Sequence, residues 1–258
     1  MKLKLKLSLL LCAGVVFLYT ACKKSSTTPS DPTLTPNAVA GQVAVNISQS
    51  LFGGLGAFDV SEGLGGPTSL AVHTKGKILN DLNNPFCGLT VDTTLKYSTA
   101  VNGGTASLSG TISFTFTCTN DKLSGYSTND NVNISLTDPQ LSFAYKVGEN
   151  LVLTALNPAD DNSNLSLKGS LTSNGSYQYN TGTKRSGTEI FDYTLSSIII
   201  DPVASDVVSG SATFNTSGTG PKGVWNYQGT ITFLGNHLAT VTINGKTYNV
   251  NLETGVVN

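Results

Sequence analysis

The stretch CGLTVDTTLKYSTAVNGGTASLSGTISFTFTC, residues 87–118, constrains the fold more than any other, because it fixes a strand register. Asn102-Gly103 at its middle is a strong signal for a two-residue hairpin, since both central positions of that turn take positive φ. Pairing outward from the turn sets Cys87 opposite Cys118. The faces agree with this register. Cys87, Leu89, Val91, Leu95 and Tyr97 project to one side against Cys118, Phe116, Phe114, Gly110 and Leu108, and the other side carries Thr, Asp, Lys and Ser. A slip of one residue would set apolar against polar throughout. In this register the cysteines form a hydrogen-bonded pair with Cα atoms ~5.5 Å apart, within disulfide reach. Strands of about 15 residues exceed the usual 5 or 6, so a bulge or bend is expected, near Gly110.

The first residues give the address. In MKLKLKLSLLLCAGVVFLYTACKKSS, Lys2, Lys4 and Lys6 form a positive region, and Leu7 to Tyr19 an apolar core of about 13 residues. That core is short for a membrane span and right for a secretory signal. With Thr20 and Ala21 before Cys22, the segment resembles a bacterial lipoprotein signal, which implies that Cys22 is acylated and becomes the mature N-terminus. Ordinary secretory cleavage, leaving Cys22 a plain thiol, is the alternative. The following KKSSTTPSDPTLTP has no hydrophobic periodicity and reads as a tether. Lys23 after the cysteine implies, by the same resemblance, the outer membrane, and the lack of an acidic cluster there favours a periplasm-facing anchor. The expected organisation is a signal peptide at 1–21, an acylated cysteine and tether at 22–36, and one β-rich domain at 37–258.

Cys12 leaves with the signal and Cys22 takes the lipid, so Cys87 and Cys118 remain, and an exported chain with two cysteines usually pairs them. No C-x-x-C spacing points to redox or metal chemistry. Charged residues are only 12% of the chain and the net charge is −1, which removes the electrostatic footprint that nucleic-acid binding needs.

The remaining sequence alternates apolar and polar residues between turns rich in Gly, Asn and Asp. Strands are expected at 132–136, 141–147, 151–156, 165–171, 177–179, 190–200 and 208–214. Ile198, Ile199 and Ile200 break the alternation and imply a bulge or a strand buried on both faces. A turn at Asn244-Gly245 sets Val241 opposite Tyr248 and Ala239 opposite Val250, closing a three-stranded C-terminal meander. One segment differs. Thr35 as N-cap, Pro36 at the first helical position, the spacing of Val39, Val43, Ile47 and Leu51, and Gly53 as a stop predict a helix. Gly41 weakens it by ~1 kcal/mol, and the alternation of Val43, Val45 and Ile47 keeps a strand as the rival. The Gly-rich run after residue 53 has no clear placement.

Chemistry is sparse. His73 and His237 lie in unrelated contexts and outside any catalytic motif, and read as solvated or capping side chains. Asp160, Asn162 and Asn164 alternate as at the start of a calcium loop, but the Gly at the sixth place and the closing Glu are missing, so the segment reads as an Asp/Asn turn. Gly63, Gly65 and Gly66 follow no strand-to-helix pattern that would hold a phosphate. No metal, cofactor or enzymatic activity is expected.

The ACKK start, VAGQVAVNISQSL, CGLTVDTT and FTCTNDKLSGY resemble a group of uncharacterised Bacteroidota lipoproteins over roughly the first half of the mature chain. The resemblance implies export and lipid anchoring, and no activity. The fold class expected is mainly antiparallel β, about ten or more strands in a sandwich or half-closed barrel, with one N-terminal helix packed against it. Two functions follow: a lipid-anchored envelope protein that binds glycan or protein or serves a structural role, or a periplasmic carrier of lipid or another apolar ligand. Lipid carriers of the bacterial envelope are similar to the half-barrel arrangement. In that reading Tyr97, Phe114, Phe116, Trp225 and Phe233 form the inner face around the ligand.

Overall fold

The structure, a computed structural model, describes residues 33–65, 86–101, 103–182 and 185–258. The signal, Cys22, the tether up to residue 32, His73, Gly66 and Asn102 lie outside the described residues. Ten strands run in chain order: β1 (Thr90–Val101), β2 (Gly104–Thr119), β3 (Lys122–Thr137), β4 (Leu141–Ala155), β5 (Leu165–Tyr179), β6 (Ser186–Asp201), β7 (Asp206–Gly220), β8 (Gly223–Gly235), β9 (Leu238–Ile243) and β10 (Lys246–Asn251). They form one antiparallel sheet in which every strand pairs with its sequence neighbours, and β1 and β10 are the two ends of an open sheet.

The hairpin register is the one its sequence implies. Val101 faces Gly104, Val91 faces Phe114, and Cys87 is disulfide-bonded to Cys118 with Cα atoms 5.4 Å apart. Val241 faces Tyr248 and Ala239 faces Val250. Near Gly110 the backbone departs from an ordinary strand, with φ 139°, but no register shift marks a bulge there. The β1–β2 ladder runs unbroken through Leu95 and Gly110, and the register shifts at Thr117/Cys118, where β2 meets β3. The bulge at the isoleucine run is present. Register shifts after Ser196 and Ile199, Ser197 takes φ 48°, and the buried positions change from Tyr193 and Leu195 to Ile198 and Ile200.

Two strands are longer than their patterns suggest. The segments 141–147 and 151–156 are one strand, β4, and 165–171 and 177–179 are one strand, β5. Their middles carry Gly148, Glu149, Ser173 and Gly175, which break the hydrophobic count while keeping the period of two.

The helix prevails over its strand rival. It is α1 (Pro36–Leu51), capped by Thr35, whose Oγ1 accepts from Ala38 N. Val39, Val43, Ile47 and Leu51 are fully buried. The sheet curls around α1. Tyr193 on β6 donates to Asn46 Oδ1 at 3.0 Å, and Ser173 on β5 meets the Asn46 amide at 3.5 Å. At the same height on other sides of the helix, Gly41 and Val45 touch Gly255, beyond β10. A short 3-10 segment, Val60–Gly65, touches both β3 and β7, which a flat sheet would hold ~19 Å apart. The concave face is therefore lined by α1 and by residues 52–65, whose Leu55, Phe58 and Val60 are buried. At one end of the sheet the tail pairs back on β10 through Asn251 N to Val256 O and Asn258 N to Asn249 O, so that edge is partly covered.

Gly41 illustrates why the helix tolerates a poor helix former. A Cβ there would stand 2.7 Å from the Gly255 carbonyl oxygen, a backbone atom that cannot rotate away. Propensity alone makes Gly41→Ala stabilising by ~1 kcal/mol; the close approach reverses the sign, because overpacking typically costs ~1–3 kcal/mol. Gly41→Ala is expected to lower the unfolding free energy in a urea titration, and a gain would show that the tail yields freely.

Candidate functional site

The inner face holds two acidic centres, and only one opens to solvent. The closed one is Asp130 on β3 and Glu149 on β4, side by side in register and both buried. Asp130 accepts from Ser113 N at 2.8 Å and from the Thr128 hydroxyl. Glu149 Oε2 accepts from Ala57 N at 3.0 Å and Phe58 N at 3.1 Å, so this carboxyl ties residues 52–65 to the sheet. Glu149 Oε1 has no donor. Burial, reinforced by the Asp130 charge, pushes Glu149 up to about 8, while Asp130 is also raised by burial but held back by its hydrogen bonds from Thr128 and Ser113. Of the two carboxyls, Glu149 is thus the one held protonated into the neutral range.

The open centre is a cleft of about 660 Å³ at the end of the sheet where Leu34 N bonds to Val224 O. Its walls are the first half of α1 (Ala38, Gly41, Gln42, Val45), the ends of β4 to β8, and the tail at Thr254–Val256. One row of residues crosses five strands through it: Tyr145, Gly175, Glu189, Gly218 and Trp225 are successive register partners. The two glycines make the row work. A Cβ on Gly175 would lie 2.3 Å from the Tyr145 ring, and one on Gly218 would lie 2.2 Å from the Trp225 ring. Each aromatic ring thus lies flat across a glycine, leaning towards Glu189 between them. Tyr177 does the same over Gly187 in the neighbouring row. Tyr179 and Phe191 complete the aromatic lining.

Glu189 is half-buried and accepts a hydrogen bond from the Tyr145 hydroxyl. Burial raises its carboxyl above the ordinary range and the Tyr145 bond opposes this. Burial, and then the Glu189 charge, pushes Tyr177 up to about 12. Among the described residues no basic side chain pairs with Glu189, although Arg185 and Lys222 line the same cleft. Gln42 Oε1, on the α1 wall, is buried without a donor. The Trp225 indole N–H is satisfied by Thr216 Oγ1 at 3.1 Å, and Tyr227 donates to Leu34 O, fixing the entry of α1.

Of the five aromatic residues read from the sequence as a ligand face, the cleft gathers only Trp225. Phe114 and Phe116 pack edge-on against Tyr126 in the core, Phe233 is buried near the other end of β8, and Tyr97 is half-buried on β1. Tyr145, Tyr177, Tyr179, Glu189 and Gln42 were not singled out from the sequence. Their signal was present in the inward positions of β4 to β6, where large aromatics alternate with glycine across strands, but it appears only once the register is known.

His237 lies between Asp206 and Glu253, 3.7 Å from each, on the turn after β8 and against the Phe52 ring. Among the described residues no serine or cysteine is hydrogen-bonded to His237. Among the described residues no group of three His, Cys, Asp or Glu side chains gathers to hold a metal ion. Asp160 and Asn157 cap their own exposed turn by accepting from Asn162 N and Ala159 N. Among the described residues no helix is long and apolar enough to cross a membrane. Comparison with protein-family models, with curated proteins and with solved structures gave no match.

The buried pair makes a pH prediction. Folded Glu149 keeps its proton up to about 8, whereas the unfolded side chain releases it near 4.5. Between those values the unfolded state has lost the proton and the folded state has not, so stability falls as pH rises through the window. In Glu149→Gln the amide carbonyl can still accept from Ala57 and Phe58, and no group is left to titrate. The variant is expected to lose this part of the pH dependence and to melt several degrees above wild type at the alkaline end. Parallel melting curves of the two proteins from about pH 5 to about pH 8 would count against a proton held on Glu149.

Proposed function

We propose that the chain is a lipid-anchored protein of the cell envelope that binds one small, largely apolar ligand in the cleft between α1 and β4 to β8. The observation that carries this reading is the incomplete filling of the half-barrel. Along most of its length the concave face is packed by α1 and residues 52–65. At the Leu34 end the inward positions Gly175, Gly187, Gly218 and Gly220 withhold side chains and aromatic rings line the space that results. A volume of about 660 Å³ lies within the range typical of small-molecule sites, and suits one acyl chain or ring system better than a whole diacyl lipid. The anchoring half of the proposal rests on the signal-like first 21 residues, Cys22 and the Ser/Thr/Pro-rich tether.

Trp225 is the sole tryptophan and its ring lies in the cleft, so its emission reports occupancy. Saturable changes are expected with single-chain amphiphiles or apolar dyes, together with a co-purifying mass in native mass spectrometry of protein exported to a bacterial periplasm. Ala38 is exposed on the first turn of α1 and lines the cleft. Ala38→Phe should weaken binding at least tenfold without lowering the melting temperature. A bare mass and an unresponsive Trp225 would remove the binding function.

For the anchor, Cys22→Ser should move the protein from the membrane pellet to the soluble periplasmic fraction. Sedimentation unchanged by the substitution would place the anchor elsewhere.

A further inference from the structure

Resting on the reading of the cleft as a binding site, we propose that its ligand carries an ammonium group, seated on Glu189 between the Tyr145 and Trp225 rings. Three features of the row point to a cation. First, Glu189 is a half-buried carboxyl whose one hydrogen bond is from Tyr145, with no basic partner among the described residues. An acidic side chain in such a place is costly unless something else neutralises it. The contrast with Glu149 is informative. That carboxyl, deeper in the sheet, collects two backbone N–H groups on one oxygen, whereas Glu189 lines the cleft with the Tyr145 hydroxyl as its donor.

Second, its register partners on both sides are glycines, and the Tyr145 and Trp225 rings lie over those glycines, one on each side of Glu189. A cation placed there meets the negative ring faces and the carboxylate together, as in the aromatic cages that recognise ammonium groups. Third, the opposite wall offers another acceptor. Gln42 Oε1 is buried without a partner across the cleft on α1. A protonated primary amine has three N–H donors, enough to address Glu189 and Gln42 at once. Arg185 and Lys222 line the same cleft, and neither is ion-paired with Glu189.

The test uses three probes of one shape and three charges: phenethylamine, phenethyl alcohol and phenylpropanoate. Binding is read from Trp225 emission near neutral pH with the full mature chain. The amine should bind at least tenfold more tightly than the alcohol, and the carboxylate most weakly. Glu189→Gln, which keeps a partner for Tyr145 while removing the charge, should abolish the preference while leaving alcohol binding within about twofold. Equal binding of amine and alcohol, a preference for the carboxylate, or a preference that survives in Glu189→Gln would overturn the ammonium assignment and leave the cleft standing. The wild-type comparison decides this even if the variant folds poorly. Silence towards all three probes from a protein that binds single-chain amphiphiles would also overturn the assignment, and silence towards both would take the binding function with it.

Discussion

An antiparallel meander of ten strands makes one apolar face and has nothing of its own to bury it against. Helix α1 supplies most of that partner, and the contact between its Gly41 and Gly255 sets how closely it can approach. Ten of its sixteen residues are buried, including Gly41, Ala44, Ser48 and Ser50 on sides that an ordinary surface helix leaves wet. Small residues on those sides let the helix sit within the curl of the sheet and still touch β5, β6 and the tail. Asn46 is the polar part of this contact. It accepts from Tyr193 and reaches Ser173, so a buried amide is paired with two strands. Such a network fixes the rotation of the helix as well as its depth, because turning it by one position would leave Asn46 and the Tyr193 hydroxyl without partners.

Once the helix is fixed, the rest of the concavity divides into a closed part and an open part. Residues 52–65 leave the C-terminal end of α1 and are drawn onto β3 and β4 by Glu149, which collects the N–H groups of Ala57 and Phe58. Gly56 lies against the same carboxylate, where a Cβ would stand 1.9 Å from Glu149 Oε1. A buried acid is an expensive fastener, and a raised pKa that keeps Glu149 protonated reduces the cost. Among the described residues, the N-terminal end of α1 has no comparable cover. There Leu34 is stitched to Val224 and Tyr227, and the strands present glycine rather than aliphatic side chains.

The hairpin register was legible because a single turn signal, two faces and two cysteines all agreed on it, and the C-terminal meander was legible for the same reason at Asn244-Gly245. The helix was legible from its cap and spacing, although Gly41 argued against it on propensity; the reason for that glycine is a contact with Gly255, more than two hundred residues away, which no local pattern contains. Long strands β4 and β5 were read as fragments because Glu149, Ser173 and Gly175 look like interruptions when inward positions are expected to be apolar. Those three residues belong to the acidic pair, the helix contact and the cleft. The ligand face was misplaced for a related reason. Aromatic size identifies inward residues but does not separate those packed in the core, such as Phe114, from those lining space, such as Tyr145. That distinction depends on what the neighbouring strands put beside the ring.

The glycines of the cleft have a consequence for stability. A row of inward glycines weakens strands and forfeits packing, and each ring that lies across one recovers part of that loss by covering bare backbone. If filling the core were the only demand on these positions, aliphatic side chains at 175, 187 and 218 would serve it better. Phe214 lies across Gly229 in the same way in the packed part of the sheet, so rings over glycines are a general device of this fold. At the cleft, three separate strands give up side chains in neighbouring rows and a carboxyl occupies the strand between two of them, which is the pattern expected where function and stability compete for the same positions. The two carboxyls Glu149 and Glu189 differ in what meets them: the first collects two backbone N–H groups, and the second has the Tyr145 hydroxyl and faces the cleft.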